Sequence, residues 1–150
     1  MGLEIERKFL VRSDAWREAA TSSAALRQGY LSSNSKATVR VRLFDDRRAV
    51  ITLKSKSVGI SRAEYEYEIP IEEGRELLEL ARPEVLEKRR YLVKHDGLQW
   101  EVDVFEGRHA GLVLAEIELD SADQQINLPD WVGEEVSEDG RYFNASLARQ

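Results

Sequence analysis

Residues 38–55 read T-V-R-V-R-L-F-D-D-R-R-A-V-I-T-L-K-S. In 38–44, Val39, Val41 and Leu43 alternate with Arg40 and Arg42, the period-2 pattern of a β-strand with two unlike faces. D-D-R-R is a polar turn signal, and A-V-I-T-L-K-S at 49–55 resumes as a second strand. A hairpin is predicted, with Arg40 and Arg42 on one face and Lys54 in the same parity as Thr52.

The same pattern recurs outward in both directions. Strands are predicted at 3–11, 25–31, 62–69, 85–93, 98–105 and 112–119, making about eight with the hairpin. Glu4, Glu6 and Lys8 oppose Leu3, Ile5 and Phe9, and Glu64, Glu66 and Glu68 oppose Ala63, Tyr65, Tyr67 and Ile69. Lys88 shares a face with Arg90, Glu101 with Asp103, and Glu116 with Glu118. Helical spacing is confined to three places. Ser13 stands as a helix N-cap for a short helix within 12–22, Leu77, Leu78 and Leu80 mark one at 71–82 that Pro83 stops, and a last helix follows Asn144. From Ser121 onward the pattern is mixed. This count suits a closed antiparallel barrel as well as a sandwich.

With 150 residues and no repeat or linker, one domain spanning 1–150 is expected. The formal charge of -6 argues against general nucleic-acid or membrane-surface binding. No cysteine is present, which excludes disulfides and thiolate chemistry. His95 and His109 are the two histidines, so a zinc site of several histidines is out and Ser-His-Asp chemistry is disfavoured. Both are expected in surface loops. The charged N-terminal stretch contains no secretory apolar run, and nothing approaches a membrane span, so a cytoplasmic protein is expected.

Taken singly, each charged strand face reads as a wet face of an amphipathic sheet. Together they do not, because they are runs of Glu or runs of Arg and Lys. Like charges two apart on a strand face lie about 7 Å from each other and repel unless an opposite charge lies between them. A divalent cation among the carboxylates and a polyphosphate among the basic groups would relieve both strains.

E-I-E-R-K at 4–8 resembles the ExExK signature of the CYTH superfamily, the triphosphate tunnel metalloenzymes, and is similar to its bacterial inorganic triphosphatases. R-Q-G-Y-L (27–31), V-R-V-R (39–42), T-L-K (52–54), R-A-E-Y-E (62–66), K-R-R-Y-L (88–92), E-V-D-V-F (101–105), A-E-I-E-L (115–119) and G-E-E-V-S-E-D-G-R-Y-F-N (133–144) follow in the family's order. The resemblance implies a mainly β fold, an eight-stranded antiparallel barrel whose charged lumen is a tunnel, with a few helices outside. It implies a metal set of Glu4, Glu6, Glu116 and Glu118 for Mg²⁺ or Mn²⁺, directly or through water. Glu64, Glu66 and Asp103 are secondary acidic residues, for a second metal or for orienting the basic groups. Lys8, Arg40, Arg42, Lys54, Lys88 and Arg90 would cradle a triphosphate. Arg62 either joins them or pairs with a carboxylate, and Arg89 falls out of parity.

The implied reaction is hydrolysis of a phosphoanhydride, which asks for positioning and charge neutralisation more than covalent chemistry. Candidates for activating the attacking water are a metal-bound or carboxylate-held water, Lys88, or Tyr30, which reads equally as a packed barrel tyrosine. Inorganic tripolyphosphate is the favoured substrate. The alternatives are a class IV adenylyl cyclase, a thiamine or nucleoside triphosphatase, and a non-catalytic polyphosphate-binding module. The partner is a small molecule, with no nucleic acid or membrane, in a monomer or homodimer. If the carboxylates only repel one another in the metal-free protein, removing Glu116 should leave stability unchanged or raise it.

Overall fold

The computed structural model describes residues 2–150. Its strands are β1 (Gly2–Val11), β2 (Ala20–Ser33), β3 (Ala37–Phe44), β4 (Arg48–Ser55), β5 (Ser61–Ile69), β6 (Val85–His95), β7 (Leu98–Phe105), β8 (Val113–Glu118) and β9 (Val132–Glu135). Two α-helices join them, α1 (Ile71–Ala81) and α2 (Asn144–Arg149). The strands neighbour one another in the order β5-β4-β3-β2-β6-β7-β8-β1, and β1 pairs back onto β5. All pairings are antiparallel. The ring is therefore a closed eight-stranded barrel, which settles the choice left open between barrel and sandwich.

β1 shares one edge between two partners. Gly2–Ile5 pair with Glu64–Ser61 of β5, while Phe9 and Val11 pair with Glu135 and Val132 of β9. β9 carries no alternation that a sequence pattern would detect. The segment 12–22 is also not a helix throughout: only Ala15–Ala19 form a single 3-10 stretch, and β2 begins at Ala20. The long ladder with β6, running from Ala20–Val93 to Gly29–Val85, overrides local helix preference there. Asp14, not Ser13, occupies the cap position and makes no side-chain cap bond.

The strand faces decide where the core sits. Outward apolar side chains of β2, β3 and β4 pack under α1, through Val41, Leu43, Ala49, Leu78 and Ala81. α1 seats directly on the barrel because Gly74 has no side chain; a Cβ there would collide with Ala49 and lie 2.9 Å from Leu43. A second core joins Phe9, Trp16, Trp100, Ile117 and Trp131 outside β1, β7 and β8. Leu3, Leu53, Tyr65 and Tyr67, on β1, β4 and β5, stay exposed. The hairpin turn at Asp45–Asp46 takes φ of 53° and 55°, the left-handed geometry that Asp tolerates in tight hairpins. Among the described residues no helix is long and apolar enough to cross a membrane.

Candidate functional site

With apolar side chains used outside, the alternate parity of every strand lines the inside. Glu4, Lys8, Arg40, Arg42, Lys54, Lys88, Asp103 and Glu116 are all buried. Charged groups are rarely buried so deeply without partners. Glu4, Lys8, Arg40, Arg42, Lys54 and Glu116 line a cavity of about 750 Å³ inside the barrel, while Lys88 and Asp103 sit behind its wall, bonded to each other.

The basic and acidic sets expected to hold separate ligands instead interleave. Lys54 donates to both oxygens of Glu4, at 3.0 and 2.9 Å, and lies 3.4 Å from Glu64. Arg62 donates to Glu4 at 3.2 Å, so it pairs with a carboxylate. On the opposite wall Arg90 grips Asp103 through two bonds, at 2.8 and 2.9 Å, and reaches Glu116 at 3.3 Å. Lys88 bonds Asp103 at 2.6 Å. Burial opposes ionisation of Asp103, but Arg90 and Lys88 together hold its carboxyl down to about 2. Lys8 lies 3.8 Å from Glu116. Against the effect of burial, Lys8 and Arg90 hold Glu116 well below the ordinary carboxylate range.

Two groups of charges remain uncompensated, and they are of opposite sign. Arg42 donates to the neutral Gln28 Oε1 at 2.8 Å. Its burial, with Arg40 and Arg90 nearby, lowers its guanidinium to about 9. Arg40 reaches Thr52 at 3.2 Å and Glu66 at 3.7 Å, but its buried Nε has no partner. On the acidic side, burial and the neighbouring Glu116 and Glu4 raise Glu6 to about 8. Glu118, which faces Glu6 across the β1–β8 ladder, is raised by burial and by Glu4 and Glu101. Among the described residues no three His, Asp or Glu side chains are gathered into a ready metal cluster, because Glu4 and Glu116 are turned toward Lys54 and Arg90. The donor chemistry nonetheless fits a hard divalent ion, which takes carboxylate oxygens and would relieve the crowding that keeps Glu6 protonated.

Lys88 is fully buried. Burial lowers its amine to about 7, with Arg90 and Arg42 adding to the effect against Asp103. The buried Tyr30 accepts from Gln28 Nε2 at 3.1 Å and also packs in the apolar end of the barrel with Leu86 and Phe105. Both meet the chain's C-terminal segment: Asn144 Oδ1 accepts from Lys88 at 2.9 Å and from Gln28 at 3.4 Å, and Lys8 donates to the Tyr142 carbonyl at 2.9 Å. His109, expected as a surface residue, is half-buried and bonds the Leu147 carbonyl at 2.7 Å, while Arg108 donates to that of Ala148. His95 ends β6 and is half-buried. Arg89 points outward to Ser23.

Gln28, Thr52, Glu101 and Asn144 also belong to the candidate site, outside the site residues expected from the motifs. Gln28 shares parity with Tyr30, and Glu101 shares the face of Asp103 and lies 3.3 Å from Arg90, so both carried a signal. Asn144 enters the site only through the docking of α2, which no strand pattern announces.

The CYTH domain family model matches residues 2–150. An inorganic triphosphatase of Acetivibrio thermocellus is 47% identical over 150 residues, covering 99% of this chain and 95% of that protein. One from Nitrosomonas europaea is 40% identical over 149 residues, covering 97% and 96%. A solved structure of an inorganic triphosphatase superposes with a TM-score of 0.67 at 38% identity, covering 98% of this chain and 95% of the other.

Proposed function

This chain belongs to the CYTH domain family, and on that premise we propose that it is a metal-dependent hydrolase that cleaves inorganic tripolyphosphate to pyrophosphate and phosphate. The observation that carries this is the pair Arg40 and Arg42: two buried guanidiniums, of which, among the described residues, Arg42 has no carboxylate partner and Arg40 has an unpartnered Nε and only a 3.7 Å approach to Glu66. A bound anion with oxygens along its length satisfies both, and a triphosphate supplies it.

In this reading Glu4, Glu6, Glu116 and Glu118 would hold Mg²⁺ or Mn²⁺, which would supply neutralisation of phosphate charge. Lys8, Arg40, Arg42, Lys54, Lys88 and Arg90 fix the chain of phosphates, with Arg62, Glu64, Glu66 and Asp103 orienting them. An amine near 7, as at Lys88, is tuned to take a proton from an attacking water at neutral pH. It must first exchange Asp103 or Asn144 for that water. Tyr30 is the alternative candidate, its hydroxyl accepting from Gln28 Nε2 at 3.1 Å.

The test is phosphate release with Mg²⁺ or Mn²⁺ across tripolyphosphate, ATP and thiamine triphosphate. Preference for tripolyphosphate by about tenfold in kcat/KM, roughly 1.4 kcal/mol, is expected, because discrimination is steric at one end of the ligand. Cyclic AMP and pyrophosphate from ATP would move the protein to the cyclase class, and binding without turnover would make it a polyphosphate-binding module.

A further inference from the structure

The cavity extends toward both ends of the barrel, and the two ends differ in charge. At one end are the turns β2–β3 and β4–β5, together with α2. Lys56 and Arg149 line the cavity there beside Ser33, Asn34 and Ser35. Lys36 adjoins them, its carbonyl accepting from the Lys56 amide at 3.3 Å. All three basic side chains are exposed, and none makes an ion pair among the described residues. Toward the end that carries the turns β3–β4 and β6–β7, the carboxylates Glu66, Glu101 and Glu118 line the cavity, with Arg90 3.3 Å from Glu101.

We propose that a condensed-phosphate anion enters the tunnel by the opening between α2 and the two turns, drawn by Lys36, Lys56 and Arg149, and not by the carboxylate-lined opening opposite. This rests on the triphosphatase reading and adds its route. The whole chain carries a formal charge of -6, so a polyanion approaching at random is repelled on average. A locally basic opening reverses that repulsion over about one Debye length, roughly 8–10 Å at moderate salt. Just inside lie Arg62 and Lys54, both bonded to Glu4, which an incoming anion would replace as their partner on the way to Arg40. The far opening presents carboxylates to the same ligand, and it suits a cation instead.

Entry is a rate, so the test reads association and not turnover. A terminally fluorophore-esterified tripolyphosphate is mixed with protein in excess chelator, and association is followed by stopped-flow anisotropy at several salt concentrations. Lys36→Glu/Lys56→Glu should slow association about tenfold at low salt and flatten its salt dependence, with dissociation nearly unchanged. The matched control is Lys94→Glu/Arg47→Glu, which makes the same change in net charge at the other end of the barrel. It should leave association within about twofold of the parent. Equal slowing by both variants, or none by the first, would overturn the proposal. A parent protein that binds the probe by this route but releases no phosphate from tripolyphosphate with Mg²⁺ or Mn²⁺ would overturn the triphosphatase reading and leave the entrance standing.

Discussion

Lys54 on β4 holds Glu4 on β1 through two hydrogen bonds, at 3.0 and 2.9 Å. One residue is proposed to bind phosphate and the other metal, yet in the structure each neutralises the other. At this pair ligand binding exchanges partners that already exist, whereas at Arg42 it would meet a charge that has only a neutral partner. Lys54→Ala should lower tripolyphosphate turnover about tenfold, the loss of a charge-assisted contact of about 1.5–3 kcal/mol. Arg40→Ala should do the same. Full activity of both variants at saturating and limiting substrate, in a phosphate-release assay, would remove β3 and β4 from the binding wall.

Glu116→Gln should abolish metal-dependent turnover with the fold intact by circular dichroism. The structure reverses the expectation for its stability. Glu116 faces Arg90 at 3.3 Å and Lys8 at 3.8 Å, so neutralising it leaves buried cations short of a partner. Chemical denaturation in chelator should show a loss of about 1–3 kcal/mol. Unchanged or raised stability would mean that repulsion with Glu6 dominates.

Because burial lowers Lys88 to about 7, its amine changes protonation across neutral pH. If it takes the water's proton, kcat/KM, which reports the free enzyme, should rise with pH through about 7 and level off above it. Lys88→Met should lose most of kcat/KM along with that limb. The same shift has a sign in stability: the unfolded chain keeps this proton up to about 10.5, so between about 7 and 10.5 it holds more protons than the folded protein, and the Lys88 contribution to stability rises with pH. Denaturation midpoints of Lys88→Met should climb less steeply over that window than those of the parent.

Gly74→Ala sets two effects against each other. Alanine favours the helix by about 1 kcal/mol, but the new methyl would collide with Ala49 and crowd Leu43 at 2.9 Å. Overpacking of this kind costs about 1–3 kcal/mol. Net destabilisation with unchanged KM for tripolyphosphate is expected, from thermal melting and steady-state assays. A stabilised variant would show that α1 can lift from β4 without strain.

Strand parity made the inner face readable before any coordinates: Arg40 with Arg42, and Glu4 with Glu6 and Lys8, all point where alternation put them. What alternation cannot carry is which strand closes on which. The bond from Lys54 to Glu4 depends on β1 reaching β5 to complete the ring. The helix expected within 12–22 gave way because pairing with β6 satisfies more backbone groups than an isolated turn does. His109 misled for the same reason, since its partner Leu147 lies on α2.

The pairing of β1 with β8 joins the beginning of the chain to its later part: Glu6 meets Glu118 and Lys8 meets Glu116, more than a hundred residues apart in sequence. Contacts so distant form late, after the loop entropy of everything between them has been overcome. A chain still emerging from the ribosome therefore has the basic hairpin of β3 and β4 long before it has its full set of carboxylates. If the proposed carboxylate set holds the divalent ion, that ion could bind only once β1 and β8 have met.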